Sequence, residues 1–593
     1  MKSLIKIAFS VFAGMCILAA CDDSDDNTVS GLSIDTEEIT LGAEGGTEQV
    51  NIVAGTKWVA KVDQPWVQVM PANGIGSAEC KIVVDTTLRN DIRKATVTFV
   101  PEGAATQKIE VHQTGYGKMI GLSIEEVEVP NMEALDKRYF DVSVTANVAF
   151  DIKLEELSNE SYTVIDTKAF PTQSWITNEK YEQDLKYGAR PRTTKVRFKW
   201  DMNTNPVERK MNINFLPLNS EDSEAKTAQL LVKQEASPKI EDNREGDSIA
   251  LIIIREKIRS MTSWDTSEKL DYWSGIKLWE KKDPEVKTNP EMLGRVRSAE
   301  FRMLATKESL PDEVGKLTYV ETLTFYGNEN TMLIYDLDMG ASICSLQYLK
   351  NLTVAAYGIS KLPDGFENLK SLEKLDLGSN NFEEIPAVLN STNFPNLKVL
   401  SFTNMQRYSS VTNLQTDTRE HLGLVINLSD NSYFGKQKVE SFKKLLKWSN
   451  LEVLQLTGNL IYGQLPDMSE IPCYTLSDVQ ASALGDTLKV AWGGDKGFED
   501  STGENGILAK TPKVLPNVKM FSINLNFLTG TIPDWIKNHP HYAEWDPFTF
   551  IYTQNDGYVD GVGKTVGFDS DAIPANFEEY YTWYPLRRPE KVE

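Results

Sequence analysis

The sequence predicts a multidomain chain: two all-β sandwiches followed by an α/β solenoid of short repeats. Three observations carry this. Residues 31–237 alternate apolar with polar positions in short runs divided by glycine turns. Features of the first half of that stretch return, in order, in the second. From about residue 290 a leucine pattern recurs at intervals of roughly 23–28 residues. The composition agrees, since 593 residues with 41% hydrophobic and 25% charged side chains describe an ordered protein of several domains. The balance of 62 basic against 85 acidic residues, net −23, argues against nucleic acid or an anionic membrane surface as partner, because neither presents cations to it. Four histidines and five cysteines make a zinc site or a disulfide scaffold improbable, and no cofactor or metal is expected.

At the N-terminus, Lys2 and Lys6 precede an uncharged apolar stretch from Ile7 to Ala20. As a helix it would span ~21 Å, well short of the ~30 Å hydrocarbon core, so residues 1–20 read as an export signal. Leu18-Ala19-Ala20-Cys21 resembles a bacterial lipobox, which implies a lipid on Cys21. Residues 21–30 form an acidic tether that begins Asp22-Asp23-Ser24-Asp25-Asp26 after the cysteine. In lipoproteins of Bacteroidetes, which the segment resembles, such acids accompany export, implying an outer-membrane, lipid-anchored protein that faces the cell exterior. Cys80, Cys344 and Cys473 are scattered and odd in number, which suits free buried thiols.

Residues 31–117 carry the strand pairs Leu32/Ile34, Val50/Ile52, Val59/Val62, Ile82/Val84, Val97/Phe99 and Ile109/Val111, punctuated at Gly45-Gly46, Asn73-Gly74 and Glu102-Gly103. That spacing indicates an antiparallel sandwich. Trp58-Val59-Ala60, Pro65-Trp66-Val67, Arg93 to Phe99 and Val111 to Gly115 resemble the BACON domain, a small immunoglobulin-like module. Gly31-Leu32-Ser33-Ile34 returns as Gly121-Leu122-Ser123-Ile124, Arg93-Lys94 as Arg209-Lys210, and Val111 with Gln113 as Val232 with Gln234. Residues 118–237 are therefore expected to form a second BACON-like sandwich, lengthened near 155–195. Trp58 and Trp66 could serve as sugar-stacking platforms in a glycan- or mucin-binding module. Core packing is the favoured reading, since tryptophan buries a large area and suits strands.

Leu372, Leu375, Leu377 and Asn380, with Pro386 beyond, follow L-x-x-L-x-L-x-x-N position for position. Leu451, Leu454, Leu456, Asn459 and Pro466 repeat the pattern, as do Phe521, Ile523, Asn526 and Pro533. Weaker copies centre on Leu323/Phe325/Asn328, Leu352/Val354, Leu400/Phe402 and Ile426/Leu428/Asn431. Residues 290–593 thus resemble a plant-type leucine-rich repeat domain with a C-terminal cap, and the resemblance implies an α/β solenoid. Inward asparagines (Asn328, Asn380, Asn431, Asn459 and Asn526) would brace the turns by bonding backbone left unpaired there. Residues 238–289, with a helix from Ile249 to Met261 and then Trp264 and Trp273, read as a helical N-terminal cap.

No H-E-x-x-H, G-x-S-x-G, C-x-x-C or P-loop pattern occurs, so no enzyme is expected. His539-Pro540-His541 suits a surface turn better than a metal site. The Gly493–Gly506 segment could take calcium, although it lacks EF-hand order. The expected function is a lipid-anchored cell-surface protein that binds an unidentified protein or peptide. A glycan-binding accessory or a scaffold of an uptake assembly is the alternative. Alternation places the ligand on the concave strand face, between inward leucines. That face comprises Glu300, Arg302, Thr324, Tyr326, Lys374, Asp376, Ser401, Thr403, Asn427, Ser429, Gln455, Thr457, Ser522 and Asn524.

Overall fold

The computed structural model describes residues 31–157, 174–185, 189–327 (305 and 307 apart), 337–408, 421–478 (476 apart) and 506–542, with short pieces up to 569. Cys21 with the export signal and acidic tether, Asn328, the Gly493-rich segment and most of the expected C-terminal cap lie outside the described residues. The chain divides into two units, residues 1–237 and 238–593.

Unit 1 contains two pairs of packed sheets. The first pair joins a four-stranded sheet (Leu32–Ile34, Gly46–Ala54, Ala78–Val84, Val67–Met70) to a five-stranded one (Glu38–Leu41, Gln107–Gln113, Arg93–Pro101, Lys57–Val62, Asn73–Ile75). Alternate residues of both close on one core containing Val50, Cys80, Val97, Phe99 and Ile109. The phase of one strand differs from expectation. Trp58 faces inward, its indole donating 2.9 Å to the Gly76 carbonyl and meeting Phe99 edge-on, while Val59 is exposed. Asn73-Gly74 is strand, not turn: Gly74 lies opposite Trp58, where a Cβ would fall 2.5 Å from the indole, so only glycine fits. The second pair of sheets repeats the plan around Val142, Phe198, Phe215 and Val232.

The sequence duplication has a physical basis. Arg93 and Gln113 are cross-strand partners; Arg93 Nε donates 2.7 Å to Gln113 Oε1, and Gln113 Nε2 donates to the carbonyls of Gly42, Ala43 and Asp85. The guanidinium lies 4.2 Å over the Trp66 ring. In the second pair of sheets Arg209 donates 2.6 Å to Gln234 Oε1, Gln234 Nε2 donates to the Pro130 and Asp201 carbonyls, and Arg209 covers Trp175 at 4.4 Å. Each buried glutamine thereby joins backbone from different segments.

Unit 2 opens with the helix Arg244–Lys257, capped by the Asn243 side chain accepting from Gly246 N–H at 2.8 Å. The helix ends short of Met261 because Arg259 adopts a left-handed φ of 51°. Buried Asp247 receives two 2.8 Å bonds from buried Arg295 and one from Val296 N–H, fixing the helix to the next strand. Burial opposes the Arg295 charge, but bonds to Asp247 and Asp242 outweigh it and push the guanidinium pKa up. Trp264 and Trp273 stack at 4.9 Å beside Phe301.

The main sheet of this unit runs in the order Ile276–Leu278, Val296–Leu304, Thr322–Gly327, Asn351–Ala355, Lys374–Asp376, Val399–Ser401, Val453–Gln455 and Met520–Ser522. The first pairing is antiparallel and the others parallel. Inward residues Ala299, Leu323, Leu352, Leu375, Leu400, Leu454 and Phe521 stand opposite one another, fully buried.

This is not the α/β leucine-rich repeat solenoid that the periodicity implies. The described residues are chiefly β-sheet, and the returns after the second to fourth strands of the row carry single 3-10 turns (Asp312–Lys316, Ala341–Ser345, Phe366–Asn368) rather than α-helices. Pro311 caps the start of the first of these turns and Pro363 precedes the third, positions where a missing N–H leaves no intrahelical bond unmade. Nor is the step constant: Leu352, Leu375 and Leu400 follow at 23 and 25 residues, but Leu454 and Phe521 come 54 and 67 residues later. The expected copy at Ile426 leaves the row altogether. Its strand Val425–Asn427 pairs with Leu460–Gln464 in a separate three-stranded sheet.

Asparagines brace three turns. Asn380 Oδ1 accepts from the N–H groups of Tyr357, Gly358 and Ile359 at 3.0–3.1 Å, and its Nδ2 donates to the Val354 and Leu377 carbonyls at 2.6 and 2.8 Å. Asn459 and Asn526 do the same in their turns, and all three are fully buried. Asn431 is exposed and braces no turn among the described residues. After most strands one residue takes a left-handed conformation (Ala356, Ser379, Asn404, Gly458 and Leu525), and Met303 does so at the irregular end of its own strand, with φ between 53° and 73°.

His539 and His541 are buried, not on a surface turn. His539 Nε2 lies 3.2 and 3.1 Å from the Val514 and Leu515 carbonyls, and Nδ1 accepts from His541 N–H at 3.1 Å. Those partners fix the neutral tautomer protonated on Nε2. Burial holds the His539 pKa down at about 3. The thiols divide: Cys80 is buried, while Cys344 and Cys473 are partly exposed.

Candidate binding face

Because strand side chains alternate, the residues between the inward leucines share the opposite face of the main sheet. Register makes one continuous row of Glu300, Thr324, Thr353, Asp376, Ser401, Gln455 and Ser522. A second row begins Ser298, Thr322, Asn351 and Lys374, and Arg302 stands opposite Tyr326. Of the residues named from sequence, Glu300, Arg302, Thr324, Tyr326, Lys374 and Asp376 are exposed or half-buried. Thr403, Gln455 and Thr457 are half-buried, but Ser401, Ser522 and Asn524 are buried. Thr457 Oγ1 donates 2.7 Å to Asn524 Oδ1, so polar groups at that end satisfy one another. Asn427 and Ser429 are displaced from the row with their strand.

The open end of the face leads into a cleft of about 720 Å³, lined by Lys277, Ser298, Thr322 and a set of charged side chains. Glu321, nearly buried, accepts from Arg297 Nε at 2.7 Å and from Lys350 Nζ at 2.8 Å. Burial would raise its pKa, but these two bonds prevail and hold the carboxyl below its ordinary value. Arg297 also pairs with Asp283 at 3.4 Å and lies 4.4 Å over the Trp279 ring, which fixes the guanidinium plane. Asp271 pairs with Arg244, and Glu280 with Lys282 at 2.8 Å. Lys277 is exposed, with no ion-pair partner among the described residues. The cleft therefore presents a rigid lattice of both charge signs and one available ammonium, beside hydroxyl and amide groups.

Thr322, Asn351 and Thr353 are members of the face that the sequence reading omitted, although alternation around Leu323, Leu352 and Val354 would have found them. The charged cleft had no comparable signal, since it assembles residues 271–298 with 321–322. Among the described residues no group of three or more His, Cys, Asp or Glu is placed to hold a metal.

Comparison with known proteins places a BACON domain, described as "Putative binding domain, N-terminal", at residues 56–114, within the first pair of sheets. No curated protein matches the sequence. Solved structures with local likeness include a GH5 xyloglucanase of Bacteroides ovatus in complex with a XXXG heptasaccharide, at 22% identity and TM-score 0.15 over 17% of this chain. The chain spans 22% of that xyloglucanase. WR4, an MSP family member of C. elegans, matches at 18% identity and TM-score 0.12, over 14% of this chain and 98% of its own. The calcium binding domain CBD12 of CALX1.1 matches at 10% identity and TM-score 0.19, over 34% and 99%. At these scores the likenesses carry no argument about function.

Proposed function

We propose that the chain is a non-catalytic binding protein, anchored by lipid on Cys21 at the outer face of the outer membrane, and that it recognises an extended peptide or protein segment. The observation that carries this reading is the polar row of the main sheet, opening at one end into the charged cleft. Spaced hydroxyls, amides and mixed charges suit many modest hydrogen bonds along an extended ligand, with Lys277 available to a carboxylate. The BACON domain at 56–114 agrees with a binding role. It offers a sugar little aromatic surface, because Trp58 is core and the Trp66 ring lies under Arg93. The test is capture of peptides from a random-sequence display library by the purified chain. Tyr326→Ala combined with Asp376→Arg should weaken the selected binders by at least ~1 kcal/mol, with the unfolding midpoint followed in parallel because Asp376 Oδ1 also accepts from Gly378 N–H at 3.0 Å. Unchanged affinity would move the site off this face.

A further inference from the structure

We infer that unit 2 carries a second, separate binding site, for an uncharged oligosaccharide, where the helix Tyr433–Leu446 meets the segments around residues 360 and 381–384. A cleft of about 370 Å³ lies there, lined by Ser360, Asn381, two lysines (Lys361, Lys438) and two glutamates (Glu383, Glu384). The four charges cancel, so the cleft favours a neutral ligand over a polyanion or polycation. What it offers is a dense set of donors and acceptors: ammonium, carboxylate, amide and hydroxyl groups, the complement of a sugar's vicinal hydroxyls.

The second observation is aromatic. Tyr433 and Phe434, in the first turn of the same helix, are 73% and 74% exposed and meet at 82° with ring centroids 5.3 Å apart. A core has no use for rings so placed. Phe434 and Lys438 are four residues apart on the helix, hence on one side of it, so Phe434 stands one turn from the cleft with the Tyr433 ring against its edge. Lys438 is itself oriented by donating 3.2 Å to the Val425 carbonyl. A pyranose has an apolar C–H face and a polar hydroxyl rim. The ring pair can take the first while the cleft takes the second. The helix is held by its N-cap, Ser432 Oγ accepting from Gly435 N–H at 3.1 Å, so the rings are presented on a fixed element rather than a loose loop.

Affinity electrophoresis of the purified full chain through gels containing a neutral β-glucan, a neutral mannan or a neutral xylan tests the assignment. Retardation by at least one, weakened tenfold or more in Tyr433→Ala with Phe434→Ala, is the expected result. The strand-face variant Tyr326→Ala with Asp376→Arg should be retarded like wild type, which separates this site from the proposed peptide face. Both aromatic side chains are exposed, so the double variant should keep the wild-type unfolding midpoint, checked in parallel. Migration unaffected by all three polysaccharides would overturn the assignment. So would retardation only by an anionic polysaccharide, retardation unchanged in the aromatic variant, or self-association of wild type that the aromatic variant abolishes, which would make the rings a contact between copies of the chain.

Discussion

Replacing Asn380 by leucine should cost unit 2 at least ~4 kcal/mol, because the side chain is nearly isosteric but can make none of the bonds that the turn requires. Three backbone N–H groups (Tyr357, Gly358, Ile359) and two carbonyls (Val354, Leu377) would lose a partner at a fully buried position. A buried backbone group left unsatisfied costs ~1–3 kcal/mol, so five approach or exceed ~5 kcal/mol before relaxation returns a part. Against a typical domain stability of ~5–15 kcal/mol, that is enough to lower the denaturant midpoint of unit 2 severely. The internal control is Asn431→Leu, at a position with the same sequence signature but exposed to solvent, where the change should stay within ~0.5 kcal/mol. Urea unfolding followed by circular dichroism gives the global number. Hydrogen exchange at the amides of residues 357–359 gives the local one, and it should accelerate in Asn380→Leu alone. A loss below ~1 kcal/mol, or equal losses in both variants, would refute the bracing argument.

Two further outcomes follow from named groups. His539 is neutral when folded, with a pKa near 3 against 6.5 for the free group, so its contribution is complete above pH 6.5 and is lost as pH falls towards 3. Between pH 6.5 and 5 the loss should be roughly 1.5 kcal/mol, the slope rising towards ~1.4 kcal/mol per unit as the unfolded imidazole becomes fully protonated, and His539→Gln should flatten the stability–pH slope in that window; an unchanged slope would contradict it. Cys21→Ala should move the chain from the membrane to the soluble fraction, and persistence at the membrane on fractionation would contradict acylation at that thiol.

What the sequence disclosed belonged to a pattern that repeats, and what it hid occurs once in the chain. Asn380, Asn459 and Asn526 could be assigned from spacing because each bonds backbone within its own turn and the neighbouring one. Asn431 carries the same spacing, yet its segment serves a helix start: Asp430 accepts from Ser432 N–H, and Ser432 caps the helix. Serine-capped polar residues before a helical run were the signal that competed there. The phase of Trp58 and Val59 was ambiguous because both are apolar and alternation could begin on either. Polarity likewise misjudged exposure at Ser401, Ser522 and Asn524. His539 looked external for the same reason, since the carbonyls that satisfy it belong to Val514 and Leu515. The first module was legible through its strand spacing and motif residues, and the second through the return of the Arg and Gln positions, whose pairing only the structure shows.

The uneven intervals between strands of the main sheet have a consequence for how such a chain can diversify. Leu400 and Leu454 are direct neighbours in the sheet although 54 residues separate them, and the excursion between them contains the helix bearing Tyr433 and Phe434. Pairing asks only that each strand arrive in register with its own turn; it sets no limit on what the chain does between arrivals. New chemistry can therefore be spliced into one interval, or excised from it, while the masonry on either side keeps its courses. By that logic the wall and its fittings are inherited separately, and homologues of this chain should differ more in length between positions 401 and 453, and between 455 and 520, than in the strands that flank those intervals.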